Sequence, residues 1–431
     1  MNAFSKAFVF LCGMLSCISG RAQNDTLYLS TTQIEHTFIQ QNLQLIIEKL
    51  NIEKAEAAIV QAKLWPNPTL TIDQINLWTT GAQRGGEDEI IPPLFSSFGR
   101  NTEFSVSVEQ LILMGGKRRK LIDMEKASKD IAVQYFEELL CQLKAELRIN
   151  CAELAFAQKY AEVLKQQQGR LTALISNYRE QVRQGNISQS QLLRLQAALL
   201  ELQTELNETY KDINSKEKDL RILLNMARPV YIQMTDVPKK NPTPESLSPL
   251  QLMEEAAMLR PNIRRSALQS DYFKKSIRYE KSQRVPDISL HAVYDRAGGV
   301  VSNFFGFGIS IDLPFFNRNQ GAIKSAEIDF KQSITEATYL QIAVHNEVIQ
   351  AFDNYRLAHN FSRQIADDFI HNLDEICESY TRNFINKHIG IVEFLDFFDS
   401  YKENKRAVLS AEKELIVSFE ELQLSTGREL Q

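Results

Sequence analysis

The prolines of this chain are confined to a few places, and that constrains the fold more than any motif does. A proline inside a helix removes a backbone hydrogen bond and clashes with the preceding turn. Of the 12 prolines in 431 residues, none lies within 94–228 or 315–431, and five fall between Pro229 and Pro249. Long helices are therefore allowed in two blocks separated by a proline-rich strip. Helical patterning runs from Lys117 to Gln184 and from Ala322 to Lys387. Each block is roughly 100 Å long if continuous, whereas an average helix has only about 11–12 residues. Shorter helices are read at Thr31–Ala62, Ser188–Asn225, Pro249–Gln283 and Ile391–Thr426. The second of these carries a seam of Leu192, Leu195, Leu199, Leu202, Leu206, Ile213, Leu220 and Leu223, interrupted at Thr209 and Lys216. Spacing by threes and fours is that of coiled-coil packing, with the remaining polar side in water.

The plan occurs twice. Tyr178, Ile187, Leu192 and Leu193 recur as Tyr380, Ile389, Phe394 and Leu395, each 202 positions on (380 − 178). Val106-Ser107-Val108-Glu109 recurs as Ile309-Ser310-Ile311-Asp312, 203 positions on (309 − 106). Trp65-Pro66-Asn67 recurs as Val285-Pro286-Asp287, 220 positions on (285 − 65). The order is conserved between copies, which points to duplication. The larger last offset reflects a longer loop in the first copy, Trp78–Arg100, rich in Gly, Thr, Ser and Pro. The chain therefore divides into a first repeat at 23–228, a Pro-rich linker at 229–249 and a second repeat at 250–431.

Each repeat holds two segments of period two, about 68–76 and 103–112 in the first, about 286–296 and 303–313 in the second. Leu70, Ile72, Phe104, Val106 and Val108 alternate with Thr69, Thr71, Asp73, Ser105, Ser107 and Glu109. Phe305, Phe307, Ile309 and Ile311 alternate with Gly306, Gly308, Ser310 and Asp312. A half-buried soluble strand and a strand of a membrane barrel share this pattern. Two strands per repeat neither close a barrel nor stand alone, so their edges need partners. Several copies sharing one barrel would supply them, which predicts a cyclic homo-oligomer.

Composition narrows the functional classes. The net charge of −5 lacks the basic footprint of a general nucleic-acid binder. No apolar run is long enough for a membrane-spanning helix. Residues 1–22 read as a secretory signal, with Lys6, an apolar stretch Ala7–Ile18 and Gly20-Arg21-Ala22 before cleavage between Ala22 and Gln23. A lipoprotein signal ending at Cys17 is the rival reading. Of the remaining cysteines, Cys141 and Cys151 lie too far apart on one helix to bridge, and both, with Cys377, are expected to be buried thiols. His36, His291, His345, His359, His371 and His388 are scattered, so neither a metal site nor a cofactor is expected. Gly115-Gly116-Lys117-Arg118 lacks the frame of a phosphate loop and reads as a strand-to-helix turn. No catalytic set emerges, so an enzyme is not expected.

The duplicated plan resembles that of the TolC-like outer-membrane efflux channels, and within them the heavy-metal branch. The resemblance is carried by Ile311-Asp312-Leu313-Pro314-Phe315-Phe316-Asn317-Arg318-Asn319-Gln320-Gly321, by Leu113-Met114-Gly115-Gly116-Lys117-Arg118 and by Asn386-Lys387-His388-Ile389-Gly390-Ile391-Val392-Glu393-Phe394-Leu395-Asp396. It implies a mainly α chain with a small β part: a long helical periplasmic barrel and four strands per chain of a trimeric, twelve-stranded β-barrel. It also implies an outer-membrane homotrimer of a Gram-negative bacterium, most of it periplasmic, in contact with lipid. The partners implied are a periplasmic adaptor (membrane fusion protein) and an inner-membrane RND-type pump, with metal cations as cargo. Drug efflux, type I protein secretion and a periplasmic coiled-coil scaffold are the alternatives. Gly115, Gly116, Pro314, Asn317 and Gly321 would form the strand-to-helix rim turns. Gly185, Asn186, Ile187 and Ser188, with His388, Ile389 and Gly390, would form helical turns meeting the adaptor. Glu393 and Asp396, at i and i+3 on one helix face, would ring the periplasmic aperture, or else be a solvated acidic face that Asp399 continues. The first repeat has Gln191 and Arg194 there, and Arg194 is a candidate partner for the acids.

Overall fold

The computed structural model describes residues 26–76, 103–228, 230–235, 242–297, 301–365 and 367–430. The chain begins with β1 (Thr26–Leu29), α1 (Thr31–Gln41) and α2 (Leu43–Lys63), followed by β2 (Thr69–Asn76) and β3 (Glu103–Ile112). Next come α3 (Lys117–Arg183), α4 (Gln189–Leu223) and β4 (Tyr231–Met234). The second half holds α5 (Pro249–Leu259), α6 (Pro261–Ser282), β5 (Ile288–Ala297), β6 (Val301–Ile311), α7 (Gln320–Gln364), α8 (Asp367–Ile385) and α9 (Ile391–Thr426). Two compact units divide these elements, and each draws on both halves of the sequence. One comprises residues up to 46, 140–252 and 347–431; the other comprises 47–139 and 253–346. The signal region, with Ala22 and Gln23, and the whole of the Trp78–Arg100 loop lie outside the described residues.

The second unit contains a four-stranded antiparallel sheet of order β2-β3-β5-β6. Register sorts its side chains onto two faces. Leu70, Val108, Ala292 and Phe307 form one row across the sheet, and Ile72, Val106, Tyr294 and Phe305 form the next. This apolar face is open: Leu70 is 62%, Phe305 71%, Ile309 68% and Phe307 87% exposed. Thr71, Ser107, Val293 and Gly306 form a row on the other face, beside one of Thr69, Glu109, His291 and Gly308. The alternation thus survives folding as one apolar and one mostly polar face. β2 and β6 are the outer strands of the sheet and run antiparallel to each other, because every neighbouring pair is antiparallel.

In the first unit, α3, α4, α8 and α9 contribute to one core. Tyr160, Leu164, Leu171, Leu174 and Ile175 of α3 lie against Leu192, Leu195, Leu202 and Leu206 of α4 and Phe384, Ile391, Phe394 and Phe398 of α8 and α9. The seam read from the sequence enters this core through Leu192, Leu195, Leu202 and Leu206, with Leu199 and Ile213 only partly buried, while Leu220 and Leu223 are buried outside it. One of its interruptions is used, since Lys216 pairs with Glu153 at 2.5 Å.

Several expectations need correction. The block Ala322–Lys387 is not one helix but α7 and α8, interrupted at Ile365, where its N–H bonds Ser362 O in a tightened turn. The incoming helices are also split. Arg260 precedes Pro261 and is extended (φ −60°, ψ 126°), because the proline ring disfavours a helical residue before it. Asn42 breaks the other (φ −64°, ψ 120°). Its buried amide bonds Leu223 O at 2.9 Å and accepts from Leu45 N at 3.0 Å, capping α2. The 229–249 strip holds more than a linker: β4 pairs in parallel with β1, from Thr26↔Tyr231 to Leu29↔Met234. The amide of Gln158 (α3) donates to Ile232 O at 2.5 Å and accepts from Met234 N at 3.1 Å, while Glu217 accepts from Ile232 N at 3.1 Å. Side chains of α3 and α4 thereby satisfy β4 polar groups that the short β1 does not. Cys151 and Cys377 are buried, but Cys141 is only half-buried, and none of the three is joined in a disulfide among the described residues.

Arg148 gathers three carboxylates in the first unit: Glu35 at 2.6 Å, Glu429 at 2.9 Å and Glu420 at 3.3 Å. Burial pushes the Glu420 carboxyl up, and Arg148 opposes that shift. Removing the guanidinium strands a buried acid, so Arg148→Leu should cost about 3 kcal/mol. Thermal unfolding followed by far-ultraviolet circular dichroism in detergent checks this; an unchanged midpoint contradicts it.

Candidate functional site

Two helical turns end the α3–α4 and α8–α9 pairs, and the same backbone builds both. Gly185 takes a left-handed conformation (φ +75°); its N–H bonds Val182 O at 3.0 Å and that of Asn186 bonds Gln181 O at 2.9 Å. Lys387, 202 positions on, does the same at φ +62°, with its N–H on Phe384 O at 3.1 Å and that of His388 on Asn383 O at 2.9 Å. Both are Schellman closures, which satisfy the last carbonyls of a helix. Gly185, Asn186, Ser188, His388 and Gly390 are exposed, and Ile187 and Ile389 are half-buried. Ser188 and Gly390 then cap α4 and α9 with extended backbone.

An aromatic ladder holds these ends. Tyr178 stacks on Phe384 at 5.3 Å, Phe384 on Phe394 at 4.3 Å, and Phe394 meets Phe398 at 6.0 Å. Tyr380 stacks separately on Phe397 at 4.0 Å. Since Ile391, Phe394 and Phe398 face the core, the helix period turns Glu393 and Asp396 outward, and both are exposed. Glu393 sits in the first turn of α9, where a negative charge suits the helix dipole. Gln191 is half-buried and Arg194 exposed at the equivalent positions of α4. Among the described residues, no ion pair joins Arg194 to Glu393 or Asp396. Asp399 differs from those two acids, because it lies 3.8 Å from Lys402.

Behind the turns lies a polar cluster that sequence reasoning did not single out. Glu205 of α4 accepts from Tyr160 and from Lys402 of α9 at 2.9 Å, with Arg406 at 3.8 Å. Burial opposes ionisation of Glu205, but the hydrogen bonds from Tyr160 and Lys402 and the charges of Lys402 and Arg406 outweigh it and hold the carboxyl below its usual range. Nearby, Asp374 of α8 accepts from Tyr401 at 2.7 Å and Lys405 at 2.8 Å. Burial again opposes its charge, and those two donors again hold it low. Arg170 donates to the Cys377 thiol at 3.1 Å. The available signal was an acid and a base, Glu205 and Lys402, set among apolar seam residues of two facing helices.

The strand-to-helix rim lies in the other unit. Gly115 and Gly116 are both left-handed (φ +65° and +69°). A Cβ on Gly115 would come within 2.9 Å of the Val285 side chain, so the turn needs glycine for space as well as conformation. Asp287 locks it, accepting from Met114 N at 2.9 Å and Lys117 Nζ at 2.8 Å. At the second rim, Asn317 accepts from Asn319 N at 3.1 Å, Pro314 is half-buried, and Asn319 takes the left-handed position (φ +56°). Gly321 is not a turn residue as expected; it lies in the first turn of α7.

Two measurements follow from this geometry. Lys387→Gly relieves a left-handed side chain and should stabilise by about 1 kcal/mol, while Gly185→Ala should cost a similar amount; equal effects of like sign would refute the shared-turn account. A carboxylate held low when folded adds stability above its unfolded value and loses it as pH falls through the folded one. The difference in unfolding midpoint between wild type and Glu205→Gln or Asp374→Asn should therefore be full at neutral pH and shrink below the ordinary values of 4.5 and 3.8.

A family model described as outer membrane efflux protein matches residues 36–226 and 252–428. No curated protein matches. Among solved structures, the outer membrane channel CmeC of Campylobacter jejuni is similar with a TM-score of 0.76 and 14% identity, over 92% of this chain and 85% of that one. The outer membrane protein VceC of Vibrio cholerae gives 0.68 and 14%, over 92% and 96%. The open state of the outer membrane channel MtrE of Neisseria gonorrhoeae gives 0.66 and 15%, over 94% of each chain. At such identities the likeness shows the fold: the mainly helical chain with a small sheet part is that of TolC-like channels. Because the family model spans nearly the whole of both repeats, the chain belongs to the outer membrane efflux protein family.

Proposed function

We propose that the chain is one subunit of a homotrimeric, passive exit duct in the outer membrane of a Gram-negative bacterium. The observation that carries this reading is the sheet. Its apolar face is exposed in the single chain, and its two outer strands run antiparallel. Joining β6 of one copy to β2 of the next continues the antiparallel order, so three copies close twelve strands with no free edge. The apolar face then meets lipid and the polar face lines the lumen. A soluble coiled-coil scaffold leaves that face in water, at a cost of roughly 10 kcal/mol for Leu70, Ile72, Phe305, Phe307 and Ile309.

In this reading the turns at Gly185–Ser188 and His388–Gly390 meet a periplasmic adaptor coupled to an inner-membrane RND-type pump. Glu393 and Asp396 of three copies form stacked acidic rings at the aperture, with Gln191 and Arg194 beside them. Rings of carboxylates favour cations, and metal cations are the cargo we favour, in line with the heavy-metal branch that the sequence resembles. The pump supplies the energy, and the duct needs no cofactor.

The purified chain should fractionate with outer membranes and run as a trimer in native mass spectrometry. Recovery as a soluble monomer sinks the duct. In planar bilayers, Glu393→Gln with Asp396→Asn should lower cation-over-anion selectivity several-fold; unchanged selectivity removes the ring and leaves a solvated acidic face.

A further inference from the structure

We propose that the second strand-to-helix rim is a binding site for the phosphate headgroup of an anionic phospholipid, an inference that rests on the reading of the sheet as lipid-facing. An open cleft of about 500 Å³ lies there, lined by Arg284, Arg318 and Lys324 together with Phe316 and Glu327. Arg284 follows α6, Arg318 lies in the β6–α7 turn, and Lys324 is on the first turns of α7. All three cations are exposed, and among the described residues none forms an ion pair. The one carboxylate of the cleft, Glu327, is taken by Lys281 at 3.3 Å. The cleft lining therefore presents three basic side chains to solvent in no direct ion pair among the described residues.

Two further features say what kind of anion fits. The first turn of α7 contains no acidic residue, and nothing stands within 4 Å of where a Cβ on Gly321 would be. Beside Gly321 the start of the helix is thus open to a negative group, which its dipole favours, while the neighbouring Glu280 carboxylate is engaged by the Asn319 amide at 2.6 Å. On the other side, Phe316 is 95% exposed, with Phe315 and Leu313 also exposed, and these continue into Ile311 and Ile309 of β6. A small inorganic anion has no use for this apolar flank. A phospholipid matches both: its phosphate lies among the cations and its acyl chains follow Phe316 and the sheet.

The first rim differs. Gln320 corresponds by the 203-residue offset to Lys117, which is buried and paired with Asp287. Arg118 lies over the Trp65 ring at 4.2 Å and donates to Lys63 O at 2.8 Å. These cations serve the protein's own turn, whereas those of the second rim have no such employment. Each basic residue near an anionic surface adds attraction, and three together support a preference on the order of a hundredfold.

The test uses the full chain. Native mass spectrometry from detergent, with added phosphatidylglycerol or phosphatidylcholine of matched acyl chains, should show preferential retention of phosphatidylglycerol. The variant Arg284→Gln/Arg318→Gln/Lys324→Gln should bring the two lipids to parity, while Phe316→Ser should weaken both. No headgroup preference in the wild type, or a preference that survives the triple variant, overturns the site. Displacement by inorganic phosphate as effectively as by phosphatidylglycerol assigns the cleft to a free anion and overturns the lipid. Failure of the chain to insert into phospholipid vesicles counts against the lipid-facing sheet instead, a separate readout from the headgroup comparison in detergent.

Discussion

The four-stranded sheet cannot satisfy itself. Both of its outer strands offer unpaired backbone, and one face sets Phe305, Phe307 and Ile309 in the open. Closing the edges and covering the face are separate requirements. A second sheet packed on the apolar rows would cover the face but leave the edges. Joining copies edge to edge closes the edges and leaves the face for an apolar solvent. The bilayer meets the second requirement only when the first is met, because unpaired strand edges do not persist in hydrocarbon. Oligomerisation and membrane placement are thus one physical argument rather than two.

The helical unit solves a different problem. Its seams mix leucines and aromatics with ionised groups, and the ionised groups are paired: Glu205 with Lys402, Asp374 with Lys405, Arg148 with three carboxylates. Such pairs contribute little net stability over apolar residues of the same volume, but breaking one is costly. Their effect is to forbid sliding, since a one-turn shift of α9 along α4 would separate Lys402 from Glu205. The aromatic ladder at the turns does the same for the helix ends. Gln167 stands out within this core, fully buried with neither of its amide atoms hydrogen-bonded to the described residues. It occupies the seam position between Leu164 and Leu171, where an apolar residue would pack better.

Much of the plan was legible because it rests on period and punctuation. The strands showed as alternation, the long helices as absence of proline, and the duplicated turns as matching residues at one offset. What escaped depends on contacts distant in sequence. Asn42 reads as an ordinary helical residue until Leu223 accepts its amide. The four-residue strands β1 and β4 are too short to carry a period and exist because Gln158 and Glu217 reach them. The Arg260 break was written in Pro261 and was simply overridden by the longer pattern. For the acids, Ile391, Phe394 and Phe398 fixed which way Glu393 and Asp396 point, so their exposure could be read from spacing; their lack of a partner in Arg194 could not.

The two repeats also show what duplication preserves. Backbone conformation is kept where side chains are not: Gly185 and Lys387 share a left-handed turn, as do Gly116 and Asn319. Lysine at such a position costs conformational energy that glycine does not. A strained residue is tolerated where the surrounding structure fixes the turn, and the Phe384–Phe394 stack fixes this one. Freed from the need to specify the fold, the side chains of the two copies have diverged in charge. Acids stand at Glu393 and Asp396 where the first copy has Gln191 and Arg194, and the cations of the first rim are bound inward where those of the second face out. The backbone has stayed twofold while the charge pattern has not, and in the proposed ring of three chains that asymmetry would make neighbouring positions around the axis alternate in chemistry.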